Sequence, residues 1–432
     1  MKKRYLMLPI CICSTLLLSS CNRINVSEVL SQIQASIEAE SEVELETSTI
    51  ISEIEDTSVV ESEVASENSA VTSEVEDSTK NYNNLTYVII DNIITVTGVV
   101  DNSVKDLIVP NSIGGYYLGE IEFAAFEDCR FLESITLPFL GNNADSDSNA
   151  FFGYVFGASN IFDNHGYVPS SLKSAKITGG LTVRYGAFYY CDSLTSISVS
   201  DFVTTIEENA FADCTGLTAI TIPTGVTSIG DSAFKGCSSL TSMILPFGET
   251  NIGESVFFKC TNLTSVTFSV LTTSIGKSAF KECSSLVSVD LPDRVETIGE
   301  SAFEKCTGLL SINLPEGLTS IGRYAFLECE SLITVTLPNS ITKIEEKVFN
   351  QCDSLTSIII PASVTAIESQ AFFDCASLTK VYYTGEALSW DLIDIGHYNT
   401  SLNSATKYFY SEEEPTGFSH YWHYVDGDIV IW

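Results

Sequence analysis

The stretch FKECSSLVSVDLP, Phe280 to Pro292, is one copy of a frame that recurs at a fixed step. Cys191, Cys214, Cys237, Cys260, Cys283, Cys306, Cys329, Cys352 and Cys375 stand 23 residues apart. Three residues before each is a phenylalanine (Phe188, Phe211, Phe234 and onward to Phe372), and three after is a leucine (Leu194 to Leu378). Apolar residues at plus six and plus eight bracket a polar one, often followed by Pro. Ile206, Ile229, Ile252, Ile275, Ile298, Ile321, Ile344 and Ile367 complete the frame at plus fifteen, and Cys129 heads an earlier copy.

One 23-residue copy cannot hide its own apolar side chains. Stacked copies can, by turning each equivalent position into a continuous column. The run from plus five to plus eight, SVDL or SINL, alternates outward and inward and reads as a short parallel strand. Proline has no N–H to give a ladder, so at plus nine it ends the strand. The segment IGESAFEKC suits a turn followed by one helical turn with Phe and Cys inward. The expected fold is a right-handed α/β solenoid: short parallel strands plus one short helical turn per repeat. About a dozen turns at strand spacing would extend roughly 55 to 60 Å.

The cysteines then have a structural explanation. Cys129 and the nine spaced cysteines share one position, and a buried cysteine behaves as a small apolar residue at a tight inner corner. No histidine recurs beside the column, so metal ligation is not expected. Disulfides between stacked neighbours need a dihedral that in-register parallel positions rarely supply, so reduced thiols are expected.

The frame I-x-x-x-A-F-x-x-C-x-x-L-x-x-I-x-L-P resembles the BspA-like (Treponema-type) leucine-rich repeat family, from about residue 84 to the end. The resemblance implies a leucine-rich repeat solenoid displayed on a microbial surface. It also implies adhesion, or binding to host or bacterial surface proteins or glycans, with no catalytic residues and no cofactor to carry over.

The remaining chain divides by composition. Lys2, Lys3 and Arg4 precede the apolar YLMLPICICSTLLL and then LSSC, ending at Cys21. This order reads as a lipoprotein signal, residues 1–21, with Cys21 cut free and acylated; an ordinary secretory leader is the plainer alternative. Residues 22–80 hold fifteen Asp and Glu against Arg23 and Lys80, with no aromatic, Gly or Pro. Like charges repel and little can collapse, so a disordered stalk spanning roughly 40 to 45 Å is expected, with a helical stalk as the other possibility. A formal charge of -35 opposes nucleic acid as a partner, and the lipid anchor would be the only membrane contact.

Residues 81–110 read as an N-terminal cap, 111–381 as repeats, and 382–432 as a C-terminal cap in which Trp390, Trp422 and Trp432 would close the core. His420 and His423, near Glu412, Glu413 and Glu414, could instead hold a metal, but the cap is the simpler reading. The regular step fails at an insertion, about 139–170, rich in Asn, Asp, Ser and Gly. Its aromatics Phe151, Phe152, Tyr154, Phe156 and Tyr167 are candidate ligand contacts, unless they pack back on the solenoid. A row of hydroxyls at plus five (Ser242, Ser265, Ser288, Ser311) faces outward. Its companion row is broken by Ile244, Asp290, Asn313 and Ile359, so an ordinary solvated sheet explains it better than ice binding. All four histidines (His165, His397, His420, His423) lie outside the regular repeats, and no phosphate loop, nucleophile elbow or zinc motif occurs, so an enzyme is not expected. A lipid-anchored surface adhesin and a ligand-free envelope spacer are the competing functions.

Overall fold

The computed structural model describes residues 79–144, 149–248, 251–415 and 420–432. The leader, Cys21 and nearly all of the stalk lie outside the described residues. Lys80 already belongs to a strand, Lys80–Tyr82, paired with Leu85–Ile90.

The repeat region is a solenoid of stacked turns. Strands such as Ser288–Asp290 and Ser311–Asn313 pair in parallel and in register, Val289 opposite Ile312, with the middle residue buried and its neighbours exposed. Thirteen such rungs run from Asp106–Ile108 to Thr406–Tyr410 among the described residues. The Thr218, Thr241 and Thr264 hydroxyls each donate to the carbonyl of the equivalent residue one turn earlier. A second ladder was not anticipated. The residue pairs ending in the plus-fifteen isoleucine form two-residue strands of their own, for example Thr297–Ile298 against Ser320–Ile321.

The expected helical turn is absent from the regular copies, and this corrects the sequence reading. Along IGESAFEKC the chain is a run of tight turns in which the N–H groups of Ala302, Glu304 and Cys306 bond three residues back. The alternate N–H groups, of Ser301, Phe303 and Lys305, reach across to Arg323, Ala325 and Leu327 of the next turn. Ser301 and Lys305 adopt φ of 57° and 61°, and such left-handed residues prevent a helix from propagating. Each costs about 1 kcal/mol for a non-glycine, a strain the inter-turn bonds hold in place. The helices among the described residues, all five residues or shorter, lie in the insertion and the C-terminal cap.

Inside, the columns are buried. Phe188 through Phe372 form an unbroken stack with centroids 5.2–5.7 Å apart and planes within 22°. That spacing is the favourable offset range for aromatic pairs. The leucine column beside it is buried throughout. All ten column cysteines are free, buried thiols. From Cys214 to Cys375 each Sγ–H donates to the carbonyl of the phenylalanine one turn earlier, Cys283 to Phe257 and Cys306 to Phe280 at 3.1 Å. The cysteine is therefore small, apolar and a donor at once. Alanine would fit the corner but would remove one of the two donors on that buried carbonyl, leaving only the N–H of the cysteine three residues on.

Both ends are sealed. At the N-terminal end the hairpin of Leu85–Ile90 and Ile93–Val99 is joined by Tyr116–Ile121, which pairs in parallel with Ile93–Val96. The capping sheet thus extends beyond residue 110. At the other end Asn399 replaces a missing turn: its Oδ1 accepts the Phe372 N–H and its Nδ2 donates to the Glu368 and Gly396 carbonyls. Trp390 is buried there, but Trp432 is exposed, with its ring edge-on to His423. Trp422 does not close the core end. It lies with Ile359 and Tyr382 in a separate cluster over the outward sheet face, its Nε1 donating to Tyr383.

Candidate functional site

The insertion sits within a single turn. Ser134–Leu137 pairs directly and in register with Ser174–Ile177, so the ladder continues as though the intervening chain were absent. That chain returns to the core and prolongs the columns. The Phe126 N–H bonds to the Val155 carbonyl, and the Phe152 N–H to the Ala187 carbonyl, each at 2.8 Å. The Phe152 ring meets Phe188 at 5.0 Å and Phe156 at 5.5 Å.

Burial therefore divides the candidate contacts. Phe151, Phe152 and Phe156 are interior, at 4%, 0% and 1% exposure, and cannot meet a ligand; their candidacy is corrected. Tyr154 is half-buried between Phe123 and Phe151, and burial, with Glu120 and Glu122 nearby, pushes its phenol up. Tyr167 stays half exposed, at 50%.

The exposed aromatics gather elsewhere, where the short helical segment Ile161–Asp163 and Asn164–Tyr167 leans on the turn 185–190. Ile161 lies over Gly186, whose φ is +59°; a Cβ there would meet Ile161 Cδ1 at 2.6 Å. Other copies carry a side chain at this left-handed position, among them Asn209, Ser232, Tyr324 and Lys347, so glycine here makes the room the insertion needs. Asn164 is fully buried and ties both parts together: Oδ1 accepts the Gly153 N–H, and Nδ2 donates to the Tyr189 carbonyl.

On this support Phe162 stands edge-on to Tyr189 at 5.6 Å, and His165 edge-on to Tyr190 at 6.0 Å. The Tyr189 and Tyr190 rings are 4.3 Å apart. Burial, then the Tyr190 hydroxyl, then the charge of Asp213, pushes the Tyr189 phenol up to about 12. Burial also raises the Asp213 carboxyl, against the opposing pull of Lys235 and Lys259. The sequence holds a signal for this place. FYYC is the copy with aromatics at both positions after the column phenylalanine, where others read FADC, FKGC or FEKC.

The thiol column has no contact role. Burial raises every one of its thiols, Cys129 to about 11 and Cys306 and Cys375 to about 12. His420 and His423 stand against separate rings, Tyr408 and Trp432.

Two overlapping stretches, residues 181–289 and 273–391, match the family described as the BspA type leucine rich repeat region, in six copies. The repeats of this chain are BspA-type leucine-rich repeats. Among solved structures, a leucine-rich repeat protein from Bacteroides ovatus is 20% identical, over 76% of this chain and 99% of that one, with a TM-score of 0.38. A leucine rich cell surface protein from Faecalibacterium prausnitzii is 22% identical, over 73% and 97%, with a TM-score of 0.35. The leucine rich repeat protein of T. pallidum is 18% identical, over 70% and 91%, with a TM-score of 0.25. No curated protein matches the sequence. In this chain the Phe, Cys, Leu and Ile positions of the frame are inward, and most of the residues that differ between copies are outward.

Proposed function

We propose that the chain is a lipid-anchored bacterial surface protein whose solenoid binds a partner, protein or glycan, without catalysis. One observation carries this reading. Every large side chain that the frame repeats, Phe, Cys, Leu and Ile, is buried, while most exposed positions, the plus-five hydroxyls apart, change from copy to copy. A scaffold with an unvarying core and a freely varied surface suits recognition, as repeat proteins in general use theirs. The thiols, which are its most reactive groups, are enclosed and protonated, so they offer no nucleophile.

The anchor and the acidic stalk belong to this proposal as readings of residues 1–80. Two acyl chains on Cys21 would hold the protein stably, each buried methylene contributing about 0.8 kcal/mol. Cys21→Ser is expected to move the protein from the membrane fraction to the soluble one, and mass spectrometry of the wild type should find the lipid on Cys21. An unmodified mature N-terminus elsewhere would refute the anchor. For the binding role, cells displaying the wild-type chain should adhere saturably to host or bacterial cell surfaces. Adhesion no better than that of cells lacking the chain would leave the envelope-spacer function in its place.

A further inference from the structure

The aromatic patch where the insertion meets the turn 185–190 has a chemistry that narrows the partner. Phe162, Tyr185 and Tyr190 are 57%, 49% and 37% exposed, and His165 is exposed beside them. Ring faces carry partial negative charge and attract weakly positive C–H groups. Tyr185 and Tyr190 also end in phenol hydroxyls that both donate and accept. Asp213 lies close enough to Tyr189 for their charges to interact. Gly236, at φ +72°, leaves room for this carboxylate, since a Cβ there would fall on Asp213 Oδ1. An ionised carboxylate only accepts hydrogen bonds, and no described residue is bonded to this one.

We propose that this patch binds a neutral saccharide, a pyranose face resting on the exposed rings and its hydroxyls donating to Asp213 and exchanging bonds with the tyrosine phenols. This rests on the surface-binding function above and names the ligand class for it. A pyranose presents C–H groups on a face and hydroxyls around its rim, which is the complement of rings bordered by phenols and a carboxylate. Lys235 and Lys259 act on Asp213 as well, so the patch holds charges of both signs and favours a ligand with none. An extended peptide is disfavoured. The backbone here is already spent on the next turn, the Tyr190 N–H on Ala212 and the Phe188 N–H on Ala210, so no strand can add to it. The support is rigid, with Ile161 seated on Gly186 and Asn164 bonded to both parts, so little ordering cost opposes a small ligand.

The test uses the full-length chain on an array of immobilised neutral oligosaccharides: β-glucan, xylan and chitin fragments and neutral mucin-type cores. Adhesion to intact cell surfaces is measured in parallel. Tyr190→Ala, Phe162→Ala and Asp213→Asn change groups at the surface, and Phe247→Ala removes a ring that is 75% exposed away from the patch. The expected result is saturable binding to at least one neutral saccharide, weakened about tenfold or more by each patch variant and unchanged by Phe247→Ala, all with the wild-type Tm. No binding to any array member, or binding that the patch variants leave intact, overturns the proposal. If the wild type and the patch variants adhere equally to cells, the surface-binding function survives without this site. If the wild type does not adhere at all, both fail.

Discussion

Raising the pH from about 9 to about 11 is expected to unfold the repeat array in one steep transition. The ten column thiols are buried, and burial disfavours the thiolate, so their folded pKa values lie above the ordinary one: about 11 for Cys129, about 12 for Cys306 and Cys375, and raised throughout the others. Below the ordinary thiol pKa both states are protonated and stability does not depend on these groups. Above it the unfolded chain gives up protons that the folded chain retains. Stability then falls as pH rises, by about 1.4 kcal/mol per pH unit for each thiol. Ten thiols act in the same direction, so one to two pH units suffice to exceed the whole stability of an ordinary domain, about 5–15 kcal/mol. Urea midpoints measured under reductant from pH 8 to pH 11 test this. The triple variant Cys260→Ala, Cys283→Ala, Cys306→Ala should begin less stable at neutral pH yet lose stability less steeply with pH. A wild-type midpoint that stays level through that range would contradict the argument. The same burial predicts that a thiol reagent at neutral pH labels the column only after denaturant is added, with no reductant required.

Phe280→Ala is expected to cost about 3–5 kcal/mol, the range for deleting a buried phenylalanine. Phe280 stacks on Phe257 at 5.2 Å and on Phe303 at 5.4 Å, and Phe268 meets it edge-on at 5.8 Å. In a solenoid each turn touches only its neighbours, so the damage stays near the deleted ring and separates the array into two weakly coupled halves. Urea unfolding should lose its single transition, and amide exchange should speed first in the turns around residue 280. Phe372→Ala, whose ring stacks on Phe349 at the C-terminal end of the column, should cost less. Equal losses at both positions would show that stacking within the column does not govern stability.

The columns were legible because a constant step of 23 residues forces equivalent side chains into line whatever the local backbone does. The plus-six strand residues and the Phe, Cys, Leu and Ile columns all lie where that step places them. What escaped the sequence depends on the backbone or on a neighbouring turn. The second ladder is two residues wide, too short for alternation to be seen. The helical turn was expected because Ser301 and Lys305 are ordinary helix residues; nothing in their side chains announces a positive φ, which the next turn imposes. The thiol bond was hidden because its acceptor, a phenylalanine carbonyl, lies 26 residues away and looks the same in any sequence.

The insertion was the hardest part to read. Phe152 and Phe156 resemble exposed loop aromatics in a polar context, yet they fill the column; Phe162, a few residues further on in the same turn, does not. Only the register of the inserted segment against Phe126 and Phe188 separates the two cases, and no periodicity encodes it. The FYYC copy was visible as an oddity, but its meaning depends on Gly186 and Ile161 meeting.

The direct pairing of Ser134 with Ser174 also bears on how such a chain can change over evolutionary time. Elsewhere in the array the in-register step departs little from one repeat: Ser174 meets Ser196, Lys380 meets Thr406 and Asp106 meets Ser134. Between Leu137 and Ser174 the two strands meet regardless of what lies between them, so length and composition there can vary while the downstream frame stays in phase. The architecture thus contains a point at which foreign chain can be spliced in and replaced wholesale, leaving the inherited core to be copied unchanged in steps of one turn.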